Sequence, residues 1–191
     1  MPSRRYPFNT LPDHLARGLD LVFVGINPGE YSVRRGQYFA RPTNRFWPAF
    51  SRSALSAPIR AALGREALGP ADDRALLAFG IGFTDVVKRP SRRAGDLRPA
   101  DFRVWAPRLL ERLLKWRPRL ACFHGLTAFR PFALYALGAV GERWALGMQP
   151  RRIGQTRMFV VPNPSPANAH FRLEDYVVWY DRVAEALEKL R

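Results

Sequence analysis

The chain has 191 residues, of which 47% are hydrophobic and 13% aromatic, enough to bury a core and to exclude disordered and fibrous classes. Basic residues outnumber acidic ones 31 to 16 for a formal charge of +15, and all of them except Lys88, Lys115 and Lys189 are arginine. Arginine keeps its charge and offers a planar fork that matches phosphate, so the excess points to a polyanionic partner; the plainer reading is a solvated basic surface.

In chain order, residues 1–12 carry prolines without periodicity and read as a flexible arm on a single domain spanning 1–191. No apolar stretch follows their basic residues, so no secretory signal is expected, and the longest apolar run, LVFVGI, is too short to cross a bilayer. A cytoplasmic, nucleoid-associated monomer without membrane contact is the expectation. His14 falls in an expected first helix. Residues 19–26 are nearly continuous apolar with valines, the mark of a strand buried on both faces, and residues 119–124 and 158–162 read the same way. A weaker strand covers 80–84, after a helix capped by Asp72 and Asp73 and running through Phe79. Trp105, Leu109, Leu113 and Trp116 form a helical stripe over 102–116, with Pro107 expected in the first turn or marking a late start. Further helices are expected over 127–137, interrupted by Pro131, and over 173–190. Uniformly apolar strands alternating with helices imply an α/β sandwich: a short parallel sheet covered on both faces. In such folds ligands bind beyond the carboxyl ends of the strands.

Three loops leave that edge, over 25–47, 85–93 and 163–170, all rich in Pro, Gly, Asn and Arg. Asn27 lies between an apolar strand and Pro28-Gly29, so its amide sits on a stiffened turn, although asparagine there can simply form the turn. Asp85 follows an apolar strand; a helix cap or a partner for Lys88 or Arg89 is its ordinary role. Arg34, Arg35, Arg41, Arg45, Lys88, Arg89, Arg92 and Arg93 are candidate phosphate contacts from separate segments. Tyr38 and Phe39 interleave aromatics with that charge, as base stacking or plain packing would require. Cys122, alone in the run LACF, gives no disulfide framework, zinc ribbon or iron–sulfur cluster and reads as core. His124 ends a strand and reads as an ordinary strand-end histidine. Three histidines without a carboxylate cluster give no metal site, and there is no Walker-type glycine loop.

The segments GINPGE, YFARPTNRFW, IGFTDVVKRPS and VVPNPSPANA, in that order, resemble the mismatch-specific uracil/thymine-DNA glycosylase family of the uracil-DNA glycosylase superfamily, over about residues 20–185. The resemblance implies a three-layer α/β/α fold and cleavage of the N-glycosidic bond to uracil, typically opposite guanine, without metal or cofactor. On this basis Asn27 positions the hydrolytic water and Phe39 stacks on the flipped base. Ile26 and Phe39 offer backbone groups to the base edge, with Ser32 and Asn163 beside the base pocket. The loop holding Ser165, Pro166, Ala167, Asn168 and Ala169 enters the duplex. Two departures matter. The tip Pro166-Ala167-Asn168 is small where the family often has a bulky wedge, so a strict preference for guanine-paired lesions does not carry over. Relatives carry Asn or Lys at Asp85, whose carboxylate here is a second candidate for activating water.

The reading from sequence is thus a monofunctional DNA glycosylase that flips uracil, and other deaminated or damaged bases, out of duplex and single-stranded DNA. The alternatives are a non-catalytic nucleic-acid-binding module and an α/β enzyme acting on free nucleotides or nucleosides.

Overall fold

The apolar runs of the chain become the strands of one sheet. In the computed structural model, which describes residues 6–190, β1 (Leu21–Gly25), β2 (Ile81–Asp85), β3 (Leu120–His124), β4 (Gly147–Ile153) and β5 (Thr156–Val161) stand in the order β2-β1-β3-β5-β4. The first three and β5 are parallel, whereas β4 is antiparallel to β5. The helices are α1 (Glu30–Arg35), α2 (Phe46–Arg52), α3 (Ala57–Leu63), α4 (Pro99–Trp116), α5 (Leu126–Leu137) and α6 (Leu173–Glu188).

Successive strand side chains point to opposite faces, and this alternation builds the two halves of the core. Leu21, Phe23, Phe83, Cys122 and Val161 face one layer, where Phe46 and Phe50 of α2 and Tyr176 and Tyr180 of α6 meet them. Val22, Val24, Ala121, Phe123 and Val160 face the other, against Trp105 and Leu109 of α4 and Phe129 and Phe132 of α5. This is the three-layer sandwich expected from the sequence. Strand β1 runs to β2 on one side while β3 lies on its other side, so the order reverses beyond the carboxyl end of β1. At such a switch point the loops diverge and leave a crevice.

Several local expectations need correction. The edge strand β4 was not expected, because its sequence GMQPRRI is polar; it pairs through a tight turn in which Gly154 takes φ 57°. The helix expected over 72–79 is two 3-10 turns, Pro70–Asp72 and Ala75–Phe79. Asp72 turns back to accept from the Gly69 amide at 2.9 Å, while Asp73 accepts from the distant Tyr38 amide at 2.8 Å. Pro107 lies inside α4, which starts at Pro99 with the Asp101 carboxylate accepting from the Arg98 amide at 2.8 Å. His14 is extended rather than helical: its amide and carbonyl bond Phe83 on the outer edge of β2, at 2.9 and 3.0 Å.

Of the arm expected over 1–12, the first five positions lie outside the described residues, and the remainder is built into the body. Tyr6 and Phe8 pack on Trp105, Thr10 Oγ1 donates to the Lys88 carbonyl at 2.7 Å, and Leu11 is buried. Among the described residues no helix is long and apolar enough to cross a membrane.

Phe23 sits at the middle of the α2/α6 face, fully buried with its ring 5.1 Å from that of Phe46 and 5.7 Å from that of Phe83. Phe23→Ala is expected to cost about 3–5 kcal/mol, read as a lower urea midpoint with unchanged slope. Val104→Ala on the half-exposed face of α4 should stay within about 0.5 kcal/mol of the parent.

Candidate active site

The turn after β1 is fastened to the turn after β2, and Asn27 is the fastener. Its Nδ2 donates to the Arg89 carbonyl at 3.0 Å and to Ser91 Oγ at 2.8 Å, and Ser91 Oγ in turn donates to the Arg93 carbonyl at 2.7 Å. Backbone bonds between Ser91 and both Pro28 and Glu30 close the same seam. With both amide hydrogens committed to the protein, Asn27 Oδ1 accepts no bond from the described residues and faces outward as an acceptor only. Asn27 lines an open cleft of about 1240 Å³ at the carboxyl edge of the sheet, which also takes in Gly25, Asp85, His124 and Asn163 from the ends of the four parallel strands.

Phe39 forms a wall of this cleft and has φ 53°, a left-handed conformation that is a real outlier for a bulky residue. Its neighbours leave it no alternative. The Tyr38 amide is held by Asp73, the Tyr38 carbonyl accepts from Trp47 Nε1 at 2.9 Å, and the Ala40 amide donates to Ser32 Oγ at 3.1 Å. The Phe39 ring stacks on Phe46 at 4.4 Å and 19° while remaining half-buried, and His124 meets it edge-on at 5.0 Å. Strain of this kind costs about 1–3 kcal/mol and is sustained here by the surrounding hydrogen bonds.

Asp85 is the last residue of β2 and is only 3% exposed. Its Oδ2 accepts from Lys88 Nζ at 3.2 Å, its backbone carbonyl accepts from Arg112 at 2.9 Å, its Oδ1 accepts no hydrogen bond from the described residues, and the residue lines the cleft. The room for Oδ1 is provided by Gly25 on the paired strand: a Cβ there would lie 2.6 Å from it. Burial raises the carboxyl above the ordinary aspartate range, opposed by Lys88 and Arg112 and reinforced by Asp13.

Asn163 and the following loop close the far side. Asn163 Oδ1 accepts from the Ser165 amide at 3.0 Å, and its backbone carbonyl accepts from Tyr176 Oη at 2.7 Å and Asn168 Nδ2 at 3.1 Å. Gly125, at φ 96°, lets this turn approach, since a Cβ there would lie 2.9 Å from Asn163 Cβ. Pro166, Ala167 and Ala169 are exposed at the tip. Arg45 ties the loop from beneath: its guanidinium donates to the carbonyls of Ser165, Asn168 and Phe171, and it lies 5.0 Å over the Tyr176 ring.

The cleft therefore brings together Ile26, Asn27, Ser32, Phe39, Asp85, Asn163 and residues 165–168. The expected phosphate contacts divide. Arg34, Arg35, Arg41, Arg92 and Arg93 are exposed, and Arg41, Arg92 and Arg93 line the cleft itself. Lys88 is corrected outright: it is 1% exposed, with its ammonium held by Asp13, Asp85 and Tyr38. Arg89 is also largely diverted from that role, because the Nε–Nη2 edge of its guanidinium is held by the Asp101 carboxylate, at 2.8 and 2.7 Å. Arg45 is a loop anchor, and Tyr38 is core, stacked on Phe83. His124 is buried with Nε2 3.1 Å from Tyr180 Oη, and burial pushes its pKa down to about 3, so the ring is neutral. Sequence reasoning assigned no role to Gly25, Asp13 or Ser91: Gly25 and Ser91 lie inside the quoted segments and Asp13 outside them, and each matters only through its neighbours across the chain.

Fold and cleft together define an α/β sandwich with a basic, aromatic-walled crevice at the carboxyl edge of its sheet. Residues 12–190 match the model of the Uracil DNA glycosylase superfamily, and the chain belongs to that superfamily. It is also similar to the solution structure of a candidate uracil DNA glycosylase from Methanosarcina acetivorans, at 22% identity and a TM-score of 0.56, covering 94% of this chain and 98% of that one. This likeness concerns the fold.

The anchoring by Arg45 gives a local expectation. Arg45→Ala should leave β1 and β3 protected while amides of the 163–171 loop exchange roughly 10- to 150-fold faster, the equivalent of losing about 1.5–3 kcal/mol of charge-assisted hydrogen bonding. Uniform protection across the chain would contradict it.

Proposed function

We propose that the protein is a monofunctional DNA glycosylase that hydrolyses the N-glycosidic bond of uracil, opposite guanine and in related deaminated or damaged lesions. The observation that carries this reading is the convergence of an acceptor-only Asn27, a half-buried Phe39 and an Asp85 with only Oδ2 engaged by Lys88 on one arginine-rimmed cleft. A base within a duplex is out of reach of such a cleft and has to be rotated out, at a cost of a few kcal/mol that is lowest for a weakly paired base. Phe39 then receives the base on a ring already braced by Phe46.

As the bond from C1′ to the base nitrogen breaks, its electron pair leaves with the base and positive charge develops on the sugar. Asn27 Oδ1 accepts a hydrogen bond from the attacking water and fixes its direction, which is an entropic contribution. Asp85 takes the other proton as the water oxygen bonds to C1′, so one O–H bond and the C1′–N bond are exchanged for a C1′–O bond and a protonated carboxyl. Its buried position makes it a stronger base than a solvated aspartate, at the cost of losing that function as pH falls through its raised pKa. Asp85→Ala should slow single-turnover release of uracil by roughly two to four orders of magnitude, with DNA affinity retained. Wild-type turnover in that variant would assign Asp85 to structure and leave Asn27 as the sole water ligand.

The exposed arginines Arg34, Arg35, Arg41, Arg92 and Arg93 suit a phosphate backbone tracking across the mouth. If most of them displace a counterion, log affinity should fall against log salt with a slope of about −3 to −5. Replacing Arg92 and Arg93 with Gln should reduce that slope by about one each without changing cleavage at saturating enzyme. A flat salt response would remove the backbone from the reading.

A further inference from the structure

The carboxylate of Asp85 is not placed by its strand alone. Beneath it lies a largely buried ionic cluster to which four separate segments contribute. Lys88 Nζ is 2.9 Å from Asp13 Oδ1, 3.2 Å from Asp85 Oδ2 and 3.2 Å from Tyr38 Oη. Asp13 arrives from the segment before β1; its Oδ1 also accepts from Thr84 Oγ1 at 2.7 Å, and its Oδ2 faces Arg112 of α4 at 3.4 Å. Arg112 reaches past it to the Asp85 carbonyl. A lysine with only the task of filling space would be costly here, because an ammonium removed from water forfeits several kcal/mol of hydration. One carboxylate would neutralise it; this lysine is given two, and one of them belongs to the cleft.

We propose that Lys88 and Asp13 are positioning residues for hydrolysis: an opposed charge pair that turns Asp85 so that Oδ2 faces inward and Oδ1 faces the substrate, and that sets the pH at which this carboxyl ionises. The inference rests on the reading of Asp85 as the group that takes the proton from water. The two members act in opposite directions. Lys88 stabilises the Asp85 anion by direct contact, whereas Asp13 destabilises it by like charge and also draws the Lys88 ammonium away from it. The other ionisable groups around the cluster do not blur this opposition. Arg112 keeps its charge, and burial holds the Tyr38 phenol well above its usual range. Burial pushes His14, 5.3 Å from the Tyr38 ring, below the usual imidazole range, and pushes His124, 5.0 Å from Phe39, down to about 3.

The test is the acid limb of the single-turnover rate against pH, for base release from uracil-containing DNA. In Lys88→Met the limb should move up by about one to three pH units, so that at a fixed pH on the limb the rate falls about tenfold for each unit. In Asp13→Asn it should move down, and Lys88→Arg, which keeps the charge, should restore the wild-type limb. A packing defect would lower the plateau in all of them without sending the limbs in opposite directions. Limbs that stay in place, or that move the same way in both variants, overturn the proposal. Should Lys88→Met fail to fold, Asp13→Asn decides alone, and a limb that is unmoved or raised overturns it. An Asp85→Ala variant with wild-type turnover defeats the underlying reading instead; an inactive Asp85→Ala together with unmoved limbs defeats only the role of Lys88 and Asp13.

Discussion

A buried ammonium ion organises the carboxyl edge of this sheet. Lys88 stands where β2 ends, sealed from solvent, and a charge in that position is tolerated only if fixed anions surround it. Meeting that demand requires Asp13 to be brought against β2, which the backbone pairing of His14 with Phe83 accomplishes, and requires Arg112 to reach in from α4 to balance the second carboxylate. Thr10 fastens the same segment to the Lys88 carbonyl, and Tyr38 completes the shell with its hydroxyl. The N-terminal segment, the 38–40 turn, β2 and α4 are thereby locked together, and the cleft above them inherits that rigidity.

The same principle recurs around the cleft in smaller form. Phe39 holds a backbone conformation it would not adopt alone, because the peptides on either side of it are each hydrogen-bonded to another element. Asn27 is held in place because its amide hydrogens are committed to the neighbouring loop, and the 163–171 loop is held because the Arg45 guanidinium collects three of its carbonyls. A group held this way spends no entropy on being oriented when a substrate arrives. In the proposed reading, the neutral, acceptor-only Asn27 can direct a water because its amide hydrogens are already committed to the neighbouring loop.

The parts of this arrangement that were legible in the sequence are those governed by local pattern. Strands buried on both faces have to be apolar throughout, so β1, β3 and β5 were evident, and with them the edge at which the loops converge. Asn27 stood out because Pro28 and Gly29 fix the turn it sits on. Edge strand β4 was invisible because only Gln149 and Ile153 of its central residues need to be buried, and a strand with one half-solvated edge has no apolar signature. Charge was the least reliable guide. Lys88 and Arg89 read as phosphate contacts from their neighbours in sequence, yet their partners Asp13 and Asp101 are remote or on the next helix, and sequence alone does not show which cations are already neutralised.

Separating spent from free cations changes how the net charge should be understood. Arg45, Lys88, Arg89 and Arg112 serve internal carboxylates and carbonyls, so they add little to the field outside. Of the exposed arginines, Arg41, Arg92 and Arg93 line the cleft with Asn27, whereas the 163–169 loop and its tip include none. That tip offers only proline, alanine and asparagine, none large enough to fill the volume a departed base would leave in a duplex. In the proposed reading, then, little of the cost of extrusion is repaid by an inserted wedge, and selectivity rests on how weakly the base is paired before it leaves. A protein built this way would favour bases that are already loosely held, and its discrimination would be set by the nucleic acid as much as by the pocket.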